Sequence, residues 1–179
     1  MVIYMLSTLL QEIVTALDER QIPYMLSGSL AMSAYTIPRM TRDIDIVIDL
    51  DIDDIESFLK IFSQNFYFHR PSVEEETRRM GMFNVIDHRS GYKIDFVVKK
   101  NSPYRKEEFQ RRIRSEIFGF EIWIVSPEDL ILSKLIWIQQ LQSEKQIGDI
   151  KNLLENKTID LVYVKKWINE LNLETFKLI

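Results

Sequence analysis

Arg39-Met40-Thr41-Arg42-Asp43-Ile44-Asp45-Ile46-Val47-Ile48-Asp49 is the stretch that decides how this chain folds. Ile44, Ile46 and Ile48 alternate with Asp43, Asp45, Val47 and Asp49, the period of two expected of a β-strand with one face in the core. Asp43 and Asp45 are two residues apart, so both carboxylates leave the strand on one face while the isoleucines anchor the other. Upstream, Tyr24-Met25-Leu26 reads as a short strand, Ser27-Gly28-Ser29 as a turn, and residues 30–35 as a helix closed by Pro38. Downstream, residues 92–98 repeat the acidic pattern in Lys93-Ile94-Asp95-Phe96-Val97. Residues 82–87 form the preceding strand, across the turn His88-Arg89-Ser90-Gly91.

Outward from this centre the elements continue to alternate. Asp49, Asp51, Asp53 and Asp54 open a helix expected to run to about residue 64, acids being favourable at the positive end of a helix. Residues 66–70 read as a strand, 72–79 as a charged helix or loop, and 104–113 as a helix. Strands are expected at 116–118 and 120–124, around Gly119. Ser126-Pro127-Glu128-Asp129 is a strong helix start, with a capping hydroxyl, proline in the first turn and two acids; that helix is expected to run to residue 142. Two more follow at 144–154 and 161–171. At the other end, Met5, Leu9, Ile13 and Leu17 recur every fourth residue as the buried stripe of an amphipathic helix. The expected fold is α/β, a mixed sheet flanked by helices. Residues 1–125 would form the core, and 126–179 a helical C-terminal segment packed on it.

Composition narrows the chemistry. The chain of 179 residues has no cysteine, so disulfides and thiolate metal sites are excluded. Only His69 and His88 could supply imidazole, too few for a multi-histidine zinc site, and both fall outside the motifs above. A net charge of −4 argues against coating nucleic acid through charge alone. No apolar run reaches the roughly 18 residues of a membrane span, and the apolar stretch at residues 1–10 lacks the basic region and cleavage site of a signal peptide. A cytoplasmic protein is expected.

The three carboxylates Asp43, Asp45 and Asp95 carry the functional reading. If their strands pair, about 5 Å apart, the acids converge and repel one another unless a cation joins them. Oxygen-only ligands select a hard ion such as Mg2+ or Mn2+. A Ser29 hydroxyl at a helix start, after a glycine that lets the backbone approach closely, can hold a phosphate.

The segments Leu26-Ser27-Gly28-Ser29-Leu30-Ala31, Arg39 to Val47 and Lys93-Ile94-Asp95-Phe96 resemble, in that order, the motif set of the DNA polymerase beta-like nucleotidyltransferases. Within that superfamily the chain looks most similar to small prokaryotic proteins grouped with AbiEii-type toxins of toxin–antitoxin and abortive-infection systems. The similarity continues through Ser126-Pro127-Glu128-Asp129-Leu130, Lys134-Leu135 and Gly148-Asp149-Ile150, although many larger AbiEii-type toxins carry more C-terminal sequence. The resemblance implies that Gly28 and Ser29 hold a nucleoside triphosphate and that Asp43, Asp45 and Asp95 bind the metal. Asp95 would also help to deprotonate an acceptor hydroxyl, which attacks the α-phosphorus and releases pyrophosphate. The implied partners are the triphosphate, an acceptor (RNA, protein or small molecule), and a cognate toxin or antitoxin protein, with no membrane. A reading from another class is a nucleotide-binding or toxin–antitoxin interaction module of weak transferase activity.

Several residues carry two readings. Lys134 shares a helix face with Leu130 and Ile138, as a lysine snorkelling at the core edge or as a triphosphate contact. Asp149 reads as an acid on a helix surface. Arg39 and Arg42 flank the acidic strand and can pair with acids or phosphates. Lys99-Lys100, Arg105-Lys106 and Arg111-Arg112-Arg114 are the best candidates for an RNA-facing surface, although charge runs usually mark solvated faces.

Overall fold

The computed structural model of the protein describes residues 2–62 and 64–179; the side chains of residues 2–4 are outside that description. Met1, in the apolar N-terminal stretch, and Ser63, near the expected end of the helix after the acidic run, lie outside the described residues.

The alternation at residues 43–48 builds the central strand. In β2 (Asp43–Ile48) the three isoleucines are fully buried, while Asp43, Asp45 and Val47 are half-buried. On one side β2 pairs antiparallel with β1 (Tyr24–Leu26). On the other it pairs in parallel with β5 (Lys93–Val98), whose Ile94, Phe96 and Val98 are likewise buried. The crossover from β2 to β5 passes through a 3-10 turn at Ile52–Asp54, α3 (Ile55–Leu59), β3 (Phe66–Tyr67), α4 (Arg70–Arg78) and β4 (Met82–Asp87). With β6 (Ile113–Ile117) and β7 (Phe120–Ile124), the sheet runs β3-β4-β5-β2-β1-β7-β6. The fold is therefore a mixed α/β sheet, as expected.

Packing explains why this order holds. α1 (Val2–Glu19) buries Leu10, Ile13 and Leu17 completely. Phe58 of α3 sits edge-on to Phe62, Phe83 and Phe96, with ring centroids 5.1, 5.6 and 5.1 Å apart. That cluster fastens the crossover against β4 and β5, and such aromatic pairs add about 0.5–1.5 kcal/mol each beyond burial.

Several elements differ from the sequence reading. The acidic run yields a 3-10 turn and a five-residue helix in place of one long helix. α2 (Gly28–Met32) starts at the glycine itself and ends before Tyr35, whose hydroxyl donates to Val125 O at 2.6 Å. β6 begins at Ile113, and α5 (Pro103–Gln110) stops before it. Phe118 lies in the turn, not in a strand: Phe118 and Gly119 both have positive φ, 55° and 85°, in the two-residue loop joining β6 to β7. Two positive φ values match the twist of a tight hairpin.

The last three helices, α6 (Pro127–Ile138), α7 (Glu144–Leu154) and α8 (Leu161–Glu170), are held by buried polar groups as well as apolar ones. Asp129, wholly inaccessible, accepts from Ser126 Oγ at 2.6 Å, Tyr163 Oη at 2.8 Å and Arg111 Nε at 3.1 Å. Arg111 also lies 3.8 Å over the Tyr163 ring. Arg105 donates to Glu108 and to Ser133 at 2.8 Å, Arg112 donates to Phe109 O and covers Trp123, and Lys99 pairs with Asp49. Four of the seven basic residues expected to face RNA, Lys99, Arg105, Arg111 and Arg112, are therefore engaged by partners within the protein, while Lys100, Lys106 and Arg114 are exposed. Among the described residues no helix is long and apolar enough to cross a membrane.

Candidate active site

The register of β2 on β5 builds the site. Asp45 is the direct partner of Asp95, and Asp43 is the direct partner of Lys93. Because i and i+2 share a face, these four residues form a square on one side of the sheet, three acids and one lysine. Asp95 is nearly buried, at 9% exposure. Burial pushes the Asp45 carboxyl above the ordinary aspartate value, and neighbouring Asp95 and Asp43 push it further. The Lys93 ammonium lies 2.7 Å from Asp95 Oδ2 and 3.8 Å from Asp43 Oδ1. That hydrogen bond to Asp95 holds Lys93 above the usual lysine value. As placed, no three His, Asp or Glu side chains among the described residues form a ready cage for a metal ion.

The Gly28-Ser29 turn closes on this square from β1. Ser27 N donates to Asp45 O at 2.8 Å, which brings the start of α2 against the acidic strand. Gly28 has φ +62°, and a Cβ there would stand 1.9 Å from Asp45 Oδ2 and 2.9 Å from Asp45 Cβ. Only glycine permits this approach.

A second set of charges surrounds Ser29. Arg39 Nη2 donates to Ser29 Oγ at 2.6 Å and to Asp149 Oδ2 at 2.8 Å, with Arg39 Nε on Asp149 Oδ1 at 3.0 Å. Lys134 Nζ donates to the same Asp149 Oδ2 at 2.8 Å and to Gln146 Oε1 at 2.9 Å. Burial raises the Asp149 carboxyl, but the hydrogen bonds from Arg39 and Lys134 outweigh it and leave the group below its ordinary value. Burial pushes Lys134 below the usual lysine value, with Arg39 adding to the effect and Asp149 opposing it.

Two sequence readings change here. Lys134 does not snorkel: only 5% of it is exposed, and its ammonium is paired inside the protein. Asp149 is not a surface acid but is 3% exposed. Its signal was available, since Gln146, Asp149, Ile150 and Leu153 occupy one helical face and two of them are apolar core. Arg39, read as flanking the acidic strand and able to pair with acids, does so with Asp149, whereas Lys93 had no comparable local signal. His69 and His88 stay outside the site; His69 meets Ser72, and His88 stacks on Tyr67. A cleft of about 420 Å3 adjoins Ser29 and Arg39, with a mostly apolar wall that includes Leu30, Met40, Tyr92, Ile117 and Phe118.

The fold has known counterparts. The antibiotic-resistance factor ANT(2'')-Ia, solved in solution, has a TM-score of 0.63 to this chain at 14% identity, over 92% of this chain and 90% of that one. The lincosamide antibiotic adenylyltransferase LnuA, bound to lincomycin, gives 0.54 at 16% identity, over 80% and 93%. A putative nucleotidyltransferase from Thermotoga maritima gives 0.53 at 16% identity, over 95% and 96%. These similarities establish a shared fold. Among curated proteins no sequence matches this chain. A family profile covers almost its whole length, residues 3–176, and the chain belongs to that family, described as "Nucleotidyltransferase of unknown function (DUF6036)".

Proposed function

We propose that this protein transfers a nucleoside monophosphate from a nucleoside triphosphate to a hydroxyl acceptor, with Asp43, Asp45 and Asp95 as the reactive centre. The observation that carries the reading is the direct pairing of Asp45 with Asp95, against a Gly28-Ser29 turn too close to tolerate a Cβ. The donor set fits Mg2+ or Mn2+: three carboxylates on one face, with Asp45 raised by burial and by its acidic neighbours, which is the electrostatic setting a cation relieves. A divalent ion bound there would neutralise phosphate charge and polarise the α-phosphorus.

The chain's own groups perform the remaining tasks. Ser29 Oγ at the start of α2, its donor Arg39, and Lys134, joined to Arg39 through Asp149, would hold the β- and γ-phosphates. Asp95 would accept the acceptor's hydroxyl proton while the oxygen forms its bond to the α-phosphorus. The bond from the α-phosphorus to the bridging oxygen breaks, and pyrophosphate leaves. Positioning and charge neutralisation supply most of what in-line transfer needs. The apolar cleft beside Ser29 and Arg39 offers room for the non-phosphate part of a ligand.

Of the three acceptor classes, a small molecule or a protein suits this surface better than RNA. Arg105, Arg111 and Arg112 are bound to internal partners, and the net charge is −4. A toxin–antitoxin or phage-defence setting rests on the order of motifs shared with AbiEii-type proteins.

The test is label transfer. The protein is incubated with each α-labelled triphosphate, Mg2+ or Mn2+, and a cell extract, beside Asp43→Ala and Asp95→Asn. Label in one class of molecule, absent with either variant, supports the reading and identifies the acceptor class. Transfer that persists in both variants refutes the assignment of the acids.

A further inference from the structure

We infer that Lys93 is a built-in stand-in for the divalent cation, which must displace it from Asp43 and Asp95 before the site can work. The inference rests on the proposed metal-binding role of the three acids. Three carboxylates on one sheet face repel one another and need a nearby positive charge. Strand register supplies it, since the parallel partner of Asp43 is Lys93, not another acid. The ammonium bridges the two acids from 2.7 Å on Asp95 Oδ2 and 3.8 Å on Asp43 Oδ1. An ion ligated by those same two oxygens would lie in the gap that the ammonium fills. The two cations cannot share it, for reasons of both space and charge.

The lysine is able to leave. Its side chain is 42% exposed and flexible, unlike that of Lys134, which is 6% exposed and pinned by Asp149 and Gln146. A triphosphate entering beside Ser29 gives the displaced ammonium another anionic partner. Exchange is therefore favoured when cation and nucleotide arrive together, and opposed when the cation arrives alone. Lys93 thus acts as a positioning residue that ties metal binding to nucleotide binding.

The experiment is a titration of Mn2+ alone into the metal-free full chain, with free Mn2+ followed by electron paramagnetic resonance. Wild type, Lys93→Met, Lys93→Gln and Lys93→Arg are compared, each with and without Asp45→Asn. Removing a charge about 4 Å away should tighten Mn2+ binding about tenfold or more in Lys93→Met and Lys93→Gln, while Lys93→Arg stays near wild type. In chelator, Lys93→Met should melt below wild type, and Mn2+ should raise its melting temperature by more. Mn2+ binding that Asp45→Asn abolishes, but that is equal or weaker in both neutral Lys93 variants, overturns the role of Lys93 alone. Mn2+ binding insensitive to Asp45→Asn, or no binding in any variant, overturns this inference together with the metal-binding reading of the acids.

Discussion

Gly28→Ala is the most exacting test of the site's geometry, because two separable effects act at one atom. The first is conformational. Gly28 sits at φ +62°, where a Cβ meets the backbone, and holding one ordinary residue in the left-handed region costs about 1–2 kcal/mol. The second is steric. The new Cβ would lie 1.9 Å from Asp45 Oδ2, 2.6 Å from its Cγ and 2.9 Å from its Cβ. Rotation of the carboxylate clears the first two clashes, and an off-rotamer side chain costs about 0.5–1.5 kcal/mol. The single variant should therefore lose about 1.5–3.5 kcal/mol of stability, the sum of those two ranges. In an Asp45→Ala background the oxygen and Cγ are gone, and Gly28→Ala should cost the conformational part, about 1–2 kcal/mol, besides the 2.9 Å contact with Cβ that both backgrounds share. The expected coupling is about 1 kcal/mol, within reach of a double-mutant cycle. Urea unfolding of the four proteins, followed through the fluorescence of buried Trp167, measures it. Equal costs of Gly28→Ala in the two backgrounds would refute the contact between the turn and Asp45. A single-variant cost below about 0.5 kcal/mol would refute the left-handed turn as well.

Three further outcomes follow from the charge networks. Asp149→Asn leaves Lys134 and Arg39 facing a neutral group inside the protein and should lower stability by about 3 kcal/mol in urea unfolding at neutral pH. Since the folded-state value of Asp149 is depressed, its contribution is full above the ordinary aspartate range, about pH 4, and is lost as pH falls through the depressed value. The wild-type stability profile should therefore converge on that of Asp149→Asn in acid, and profiles that stay parallel would contradict the pairing. Lys134→Met should weaken binding of a fluorescent triphosphate analogue about tenfold, as loss of one charged phosphate contact would; unchanged affinity would leave Lys134 purely structural. Arg111→Ala strips the wholly buried Asp129 of its cation and should destabilise the protein by about 2–4 kcal/mol while leaving RNA affinity in a filter-binding assay unaltered; a stable variant that binds RNA more weakly would restore this surface as an RNA contact.

What could be read in advance depended on how local the determinant was. The strand at residues 43–48 declares itself because its isoleucines and acids alternate within six residues. The β4–β5 hairpin does so through turn residues placed between two apolar runs. The short order of Gly-Ser turn, Asp-x-Asp strand and later aspartate was enough to nominate Asp43, Asp45 and Asp95. Register is a different matter. That Asp43 faces Lys93 depends on how β5 slides along β2 after a crossover of two helices, a 3-10 turn and two strands, and no short window contains it. The arginines named as candidates for an RNA-facing surface show the same limit. Arg105 and Arg111 are charged by composition, yet Glu108, Ser133 and Asp129 hold them in ion pairs and hydrogen bonds, two of these partners 18 and 28 positions away. Asp149 stands apart, for it was legible as a carboxylate in the apolar stripe of an amphipathic helix. Phe118 was not, since a large aromatic residue is an unexpected occupant of a left-handed turn position.

Apart from Asp45, the charges the site would offer a ligand already have partners. Asp43 and Asp95 share Lys93, while Arg39 and Lys134 share Asp149. Lys134 and Asp149, both inside the protein, could not remain there at low free energy without such pairing, because an isolated ion in the interior loses several kcal/mol of hydration. A triphosphate beside Ser29 would compete with Asp149 for two cations, and a divalent ion would compete with Lys93 for two carboxylates. Each exchange on its own leaves a charge without its counterpart: Asp149 inside the protein, or Lys93 at its surface. Made together, they preserve the balance, since the displaced ammonium and the incoming phosphates are of opposite sign. On the proposed function, the same pairings would favour the joint arrival of metal and nucleotide over the entry of either one.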